Sequence, residues 1–260
     1  MKVIVKAPAL SMSGYGEQAR FVLENIKDRE DIDLYLKNIP WGKTGLISHT
    51  NPDHSWVKNL IHKTIHLESG EPEVKYDVSI QITIPNEWED LAEYNIGHTA
   101  GIEVDRVSPT WIEIGNAIDK IVTISKHSHD VYKGTSYHIS NEKTGEVVGK
   151  LALETDIDYV GYSTRNISDG EDLDIDFETE FNFLSMCQLG PRKNLRTLVK
   201  AFVSKFHSNE NVGLVLKTQT MNTSTIDKTR TRNQLKNILS KYKNRKCKIY
   251  LIHGDMDPRT

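Results

Sequence analysis

The sequence predicts an α/β protein built from two Rossmann-like units, and three observations carry that prediction. Short apolar runs alternate with segments of helical periodicity, first along the N-terminal half and again from residue 181 onward. An acidic stretch, residues 169–176, separates the two series. Each series opens with a strand-like run, then a glycine-bearing turn, then a helix-like segment: SGYG at 13–16 and GPRK at 190–193.

The elements follow in order. Residues 3–5 read as a strand and 17–26 as a helix. Residues 34–36 read as a strand, and 52–61 as a helix with Asp53 in its acidic first turn. Residues 76–84 form a strand that Pro85 stops, and 95–104 a strand, or a strand running into a loop. Pro109 suits the first turn of a helix over 111–118. Residues 121–124 are a strand, and Ser125 caps a helix reaching Tyr132. Turn residues around Lys143 and Gly145 suggest a hairpin, and the acidic run reads as a solvated loop or linker. Residues 181–188 read as a buried strand and 195–206 as a helix, with Leu195, Leu198, Val199, Phe202 and Phe206 on one face. Residues 212–216, 226–242 and 247–253 then read as strand, helix and strand, so the last part is β-α-β-α-β. The expected domains are 1–176 and 177–260.

Composition bounds the function. A chain of 260 residues with 37% hydrophobic and 27% charged residues suits a soluble globular protein. The net charge of -3 gives no reason to expect a nucleic-acid partner. No apolar stretch approaches the roughly 20 residues that span a bilayer, and the run after Met1, with Lys2 and Lys6, is too short for a secretory signal. Two cysteines, Cys187 and Cys247, are too few for a disulfide framework, so a cytoplasmic location is expected. The sequons at Asn166 and Asn222 are then chance matches. The histidines are scattered, and no metal site is expected.

Two turns carry candidate chemistry. Gly14 and Gly16 either relieve backbone crowding or let an anion or sugar approach the free N–H groups of a helix start. The full dinucleotide pattern is not met, because Arg20 follows Ala19 where a third glycine would help. Arg192 and Lys193 follow a strand and open a helix, either as a solvated basic pair or as an anion site. Cations there oppose the helix dipole, which favours an anion-binding role, and together they suit a diphosphate.

These stretches resemble a known family. FLSMCQLGPRKNLRTLVKAFVSKF (183–206) is similar to the start of the C-terminal domain in retaining glycosyltransferases of GT-B fold and GT4 type. IPNEWEDLAEYNIGHTAGIEVDRVSPTWIEIGNAIDKIVTISKHSHDVY (84–132) resembles a segment of their N-terminal domain, and SGYGEQAR its glycine loop. The resemblance implies a nucleoside diphosphate sugar donor, an acceptor hydroxyl, retention at the anomeric carbon, and no cofactor. It places Gly14 and Gly16 beside the donor diphosphate or the acceptor. Arg192, Lys193 and Lys217 fall on the donor side, and Glu17, Asp105 and Arg106 on the acceptor side. His98 and Glu103 become catalytic candidates. A buried, hydrogen-bonded His98 and mutual pairing of Glu103, Asp105 and Arg106 are the competing readings, and Trp111 reads as packing.

Two departures qualify the resemblance. Arg192 and Lys193 are adjacent, where many members separate the lysine from the arginine. The chain reaches HGDMDPRT without the Glu-x7-Glu helix that grips the donor ribose in the family. The expectation is therefore an incomplete C-terminal Rossmann-like domain, completed by a second copy or another chain, with weak transferase activity alone. A split or truncated non-catalytic homologue is the alternative. A nicotinamide-dependent epimerase would need Tyr-x-x-x-Lys. Tyr159 is followed by Ser163, and the Tyr242–Lys246 pair lies far from the glycine loop.

Overall fold

The computed structural model describes residues 1–42, 44–47, 54–70, 74–164, 175–254 and 256. The chain is α/β and divides into two compact units, residues 1–42 with 46–164, and residues 165–260 with 43–45. Pro52, Asp53 and most of the acidic run lie outside the described residues.

The first unit is a Rossmann-like parallel sheet. Its elements are β1 (Lys2–Ala7), α1 (Gly14–Ile26), β2 (Asp33–Asn38), α2 (Ser55–Gly70), β3 (Tyr76–Ile82), β4 (Ala92–Thr99), α3 (Pro109–Gly115), β5 (Lys120–Thr123), α4 (Lys126–Gly134), β6 (Ser136–Ser140), β7 (Val147–Ala152) and β8 (Asp156–Tyr159). Six strands pair in parallel in the order β2-β1-β3-β4-β5-β8. β1 is buried on both faces, as a central parallel strand is. Val3, Val5 and Ala7 pack with Ala19 and Leu23 of α1, while Ile4 faces Tyr35 and Tyr76. α1 begins where Ser13 accepts from the Gly16 amide, and α4 where Ser125 accepts from that of Ser128.

The β6–β7 hairpin turns through Gly145 at φ +72, a conformation that glycine adopts without strain. α3 stops at Gly115, short of the expected Ile118, with the Asn116 amide closing on Ile112 and Ile114. α2 starts at Ser55 and runs to Gly70, beyond the expected Ile61.

β8 was not expected from sequence. Its residues, Asp-Ile-Asp-Tyr, offer one buried side chain, Ile157. The strand is held by pairing to β5 and by Lys120, whose ammonium lies 2.7 Å from Asp156 and 2.6 Å from Asp158.

The second unit holds β9 (Phe181–Met186), a 3₁₀ turn (Pro191–Lys193), α5 (Leu195–Phe206), β10 (Val212–Lys217), α6 (Thr225–Leu239) and β11 (Lys248–Ile252). Its three strands are parallel, in the order β11-β10-β9. Leu195, Val199 and Phe202 of α5 and Leu235 and Ile238 of α6 pack on Leu214 and Leu216.

The expectation that residues 181–188 form a buried strand is corrected. β9 is an edge strand with Phe181 57%, Leu184 64% and Met186 67% exposed. Apolar composition marked it as interior, but interior position depends on a neighbour on each side, and among the described residues β9 pairs only with β10. An unpaired, apolar edge promotes association. The chain is accordingly expected to self-associate with rising concentration, and Leu184→Lys with Met186→Lys to return the mass toward 29.6 kDa. Light scattering checks this; equal mass for both proteins at all concentrations would contradict it.

Candidate functional site

In a parallel sheet of this order, the loops leaving β1 and β3 pass to opposite faces, and ligands sit at the carboxyl ends of the strands near that point. The β1–α1 loop is built from beneath by Arg20. This buried guanidinium donates to the carbonyls of Ala9 (2.7 Å) and Ser11 (3.0 Å), and pairs with Glu17 at 2.7 Å. Glu17, expected on the acceptor side, therefore holds the loop's anchor.

The two glycines differ. A Cβ on Gly16 would stand 2.1 Å from the Ser11 carbonyl oxygen, so its role is close packing of helix on loop. Gly14 is exposed, and a Cβ there would meet only Tyr162 Oη, at 3.5 Å. Of the pair, Gly14 faces where a ligand can reach it.

Tyr15 ties α1 to the end of β4. Its phenol oxygen lies 3.0 Å from Thr99 Oγ1 and accepts from the Ala100 amide at 3.0 Å. Burial pushes this phenol's pKa up and the nearby Glu87 charge adds to the rise, against the lowering effect of the two hydrogen bonds. The ring packs on Trp41, centroids 4.5 Å apart.

His98, one residue before Thr99, is 6% exposed between the register partners Ile82 and Val122. Burial lowers its pKa to about 4, so the imidazole is neutral at neutral pH. Its Nε2 is buried without a hydrogen-bond partner. Polar atoms so placed are uncommon in native interiors.

Glu103, Asp105 and Arg106 sit exposed on the β4–α3 loop. Asp105 and Arg106 enter no ion pair among the described residues, which sets aside their mutual pairing. Trp111 packs at the 3₁₀ turn Pro85–Glu87, donating to Asn86.

Sequence reasoning missed Glu87. It ends that 3₁₀ turn, at the carboxyl end of β3, and its Oε2 is buried without a partner. The backbone carbonyl of Glu87 accepts from Lys6, a buried ammonium that pairs with Glu89 at 3.1 Å. The available signal was a carboxylate in a proline-bounded turn directly after a strand.

In the second unit, Arg192 and Lys193 are exposed on the 3₁₀ turn after β9 rather than in the first turn of α5. Asn194 separates turn from helix at φ 49, a left-handed conformation that asparagine tolerates. A cleft of about 510 Å³ beside the turn is lined by Gly190, Pro191, Asn194, Arg196, Gln234 and Asn237, among others. Lys217 ends β10 and donates to the Gly254 carbonyl, so it ties two strand ends together.

The same edge holds a buried carboxylate–imidazole pair that sequence reasoning also missed. Asp227 accepts from His253 Nε2 (2.9 Å) and from the amides of Thr220 (2.9 Å) and Met221 (3.0 Å). Among the described residues no three His, Cys, Asp or Glu side chains come together as a metal site, and no helix is long and apolar enough to cross a membrane. No protein-family model and no curated protein sequence matches this chain.

Proposed function

We propose that the chain is a retaining glycosyltransferase-like protein of GT-B type that takes a nucleoside diphosphate sugar and an acceptor hydroxyl. The observation that supports it best is the turn after β9. A parallel strand there delivers two exposed cations, Arg192 and Lys193, at the carboxyl edge of its sheet. When a nucleoside diphosphate leaves, charge grows on its terminal phosphate, and fixed cations stabilise that charge. In the first unit, Gly14 presents an accessible helix start and His98 a neutral imidazole with a free nitrogen, suited to hydrogen-bonding a sugar rather than binding phosphate by charge.

Calorimetric titration of UDP and GDP tests this reading. Each charge-assisted contact contributes about 1.5–3 kcal/mol, so Arg192→Ala with Lys193→Ala should weaken binding more than about tenfold. Equal affinity for both proteins would reject the assignment. The exposed edge of β9 favours a second reading, a subunit that binds nucleotide and works with a partner. Nucleotide release from sugar nucleotides by the chain alone separates the two.

A further inference from the structure

The net charge of -3 conceals a division along the chain. Residues 1–180 hold seventeen Lys or Arg against thirty-two Asp or Glu, whereas residues 181–254 hold fifteen against two. The densest part is 228–254, with nine cations and no carboxylate. A field of one sign over so small a unit draws in partners of the opposite sign.

On α6 this excess meets a feature that can bind. Lys228, Arg232 and Lys236 are spaced four apart and so share one flank of the helix. All three are exposed, and none enters an ion pair among the described residues. Arg232 and Lys236 stand at a groove of about 540 Å³ with an apolar floor, to which Leu239 of α6 and Ile249 and Leu251 of β11 contribute. Asp176 adds one carboxylate to the lining. β11 is the outer strand of its sheet, and among the described residues no backbone hydrogen bond reaches its free edge. Edge strands are usually blunted by proline, a bulge or charges along their length. β11 carries a single charge, Lys248 at its first position, and continues as Ile-Tyr-Leu-Ile.

We propose that this groove docks an acidic, extended segment of a partner protein, which adds to the β11 edge as a further strand. The edge supplies main-chain hydrogen bonds, the groove takes apolar side chains from alternate positions, and Arg232 and Lys236 receive the carboxylates. A phosphodiester chain would leave the apolar floor and the strand edge unused, and a bilayer is too flat to enter a groove. The proposal stands on the second unit alone and does not rest on the transferase reading.

Fluorescence anisotropy of a labelled peptide of alternating glutamate and valine, titrated with the full chain, tests this. The peptide should bind the wild type, and Arg232→Glu with Lys236→Glu should weaken it at least about tenfold. Lys200→Glu with Lys205→Glu makes the same change in net charge at exposed positions of α5 outside the groove's lining. That variant should weaken binding no more than about twofold. A polyglutamate peptide of equal charge should bind at least about tenfold more weakly, since it brings no apolar side chain. Methylating the peptide's amide nitrogens at alternate residues removes the hydrogen bonds of one edge. Of two peptides methylated on the odd or the even residues, at least one should lose binding. This peptide series needs only the wild-type chain, so it decides the matter even where a variant folds poorly. The proposal is overturned if the alternating peptide fails to bind, if polyglutamate or both methylated peptides match it, or if the two double variants weaken it alike. Oligouridylate and phosphatidylserine vesicles run as competing polyanions. Either one binding more tightly than the peptide, and through Arg232 and Lys236, would assign the flank to nucleic acid or membrane and equally overturn the proposal.

Discussion

Asp227→Ala is expected to destabilise the second unit by about 3–5 kcal/mol, because it leaves several hydrogen-bonding groups without their partner, each at a cost of about 1–3 kcal/mol. The substitution strands two half-buried amides, those of Thr220 and Met221, and the imidazole of His253, whose side chain is 1% exposed. It also unties the β10–α6 loop from the segment after β11. All four tryptophans, Trp41, Trp56, Trp88 and Trp111, lie in the first unit. The tryptophan transition should therefore hold, while amide exchange at Leu214 and Leu216 in β10 accelerates. Unchanged exchange there would show that the pair contributes little.

The same carboxylate gives a pH dependence of known sign. Burial alone would raise its pKa, but the hydrogen bond from His253 and those from the Thr220 and Met221 amides hold it below the ordinary value. An unfolded aspartate titrates near about 3.9. The folded value is lower, so this stabilisation is complete above the unfolded value and is lost as pH falls through the folded one. Acid unfolding of the second unit should lose that component in Asp227→Asn.

Gly16→Ala is expected to cost the first unit about 3 kcal/mol, as overpacking against backbone does at its upper range. The new methyl carbon would stand 2.1 Å from the Ser11 carbonyl oxygen and 2.9 Å from that of Pro8. Neither can retreat easily, because Arg20 pins the Ser11 carbonyl and the Ser11 amide holds that of Pro8. Here the tryptophan transition should fall and β10 exchange should not. Gly14→Ala is the internal control. Its Cβ meets one atom at an ordinary 3.5 Å, so it should melt with the wild type. Equal melting of both variants would mean that the loop rearranges at little cost.

Residue pattern alone determined most of the element inventory. The helix over Leu195–Phe206, the Ser125 position before its helix and the hairpin at Gly145 depend on contacts within a few residues, so periodicity and cap chemistry announce them. The alternation of strand and helix likewise implied parallel pairing, because parallel strands need crossovers. Gly14, Gly16, His98, Arg192 and Lys193 were legible as candidates because they stand at strand ends and turns.

Tertiary structure alone decided what those residues touch. β8 has too few apolar positions to declare itself and exists through β5 and Lys120, while β9 looks interior in composition and lies at an edge. Gly16 and Gly14 are two residues apart and alike in sequence, yet one is crowded by a carbonyl and the other open. Tyr15 reaches Thr99, and His253 meets Asp227, only because parallel crossovers bring distant strand ends to one edge of a sheet. Pairing, burial and desolvation are properties of that convergence, and a linear pattern carries no term for the neighbour that arrives from elsewhere in the chain.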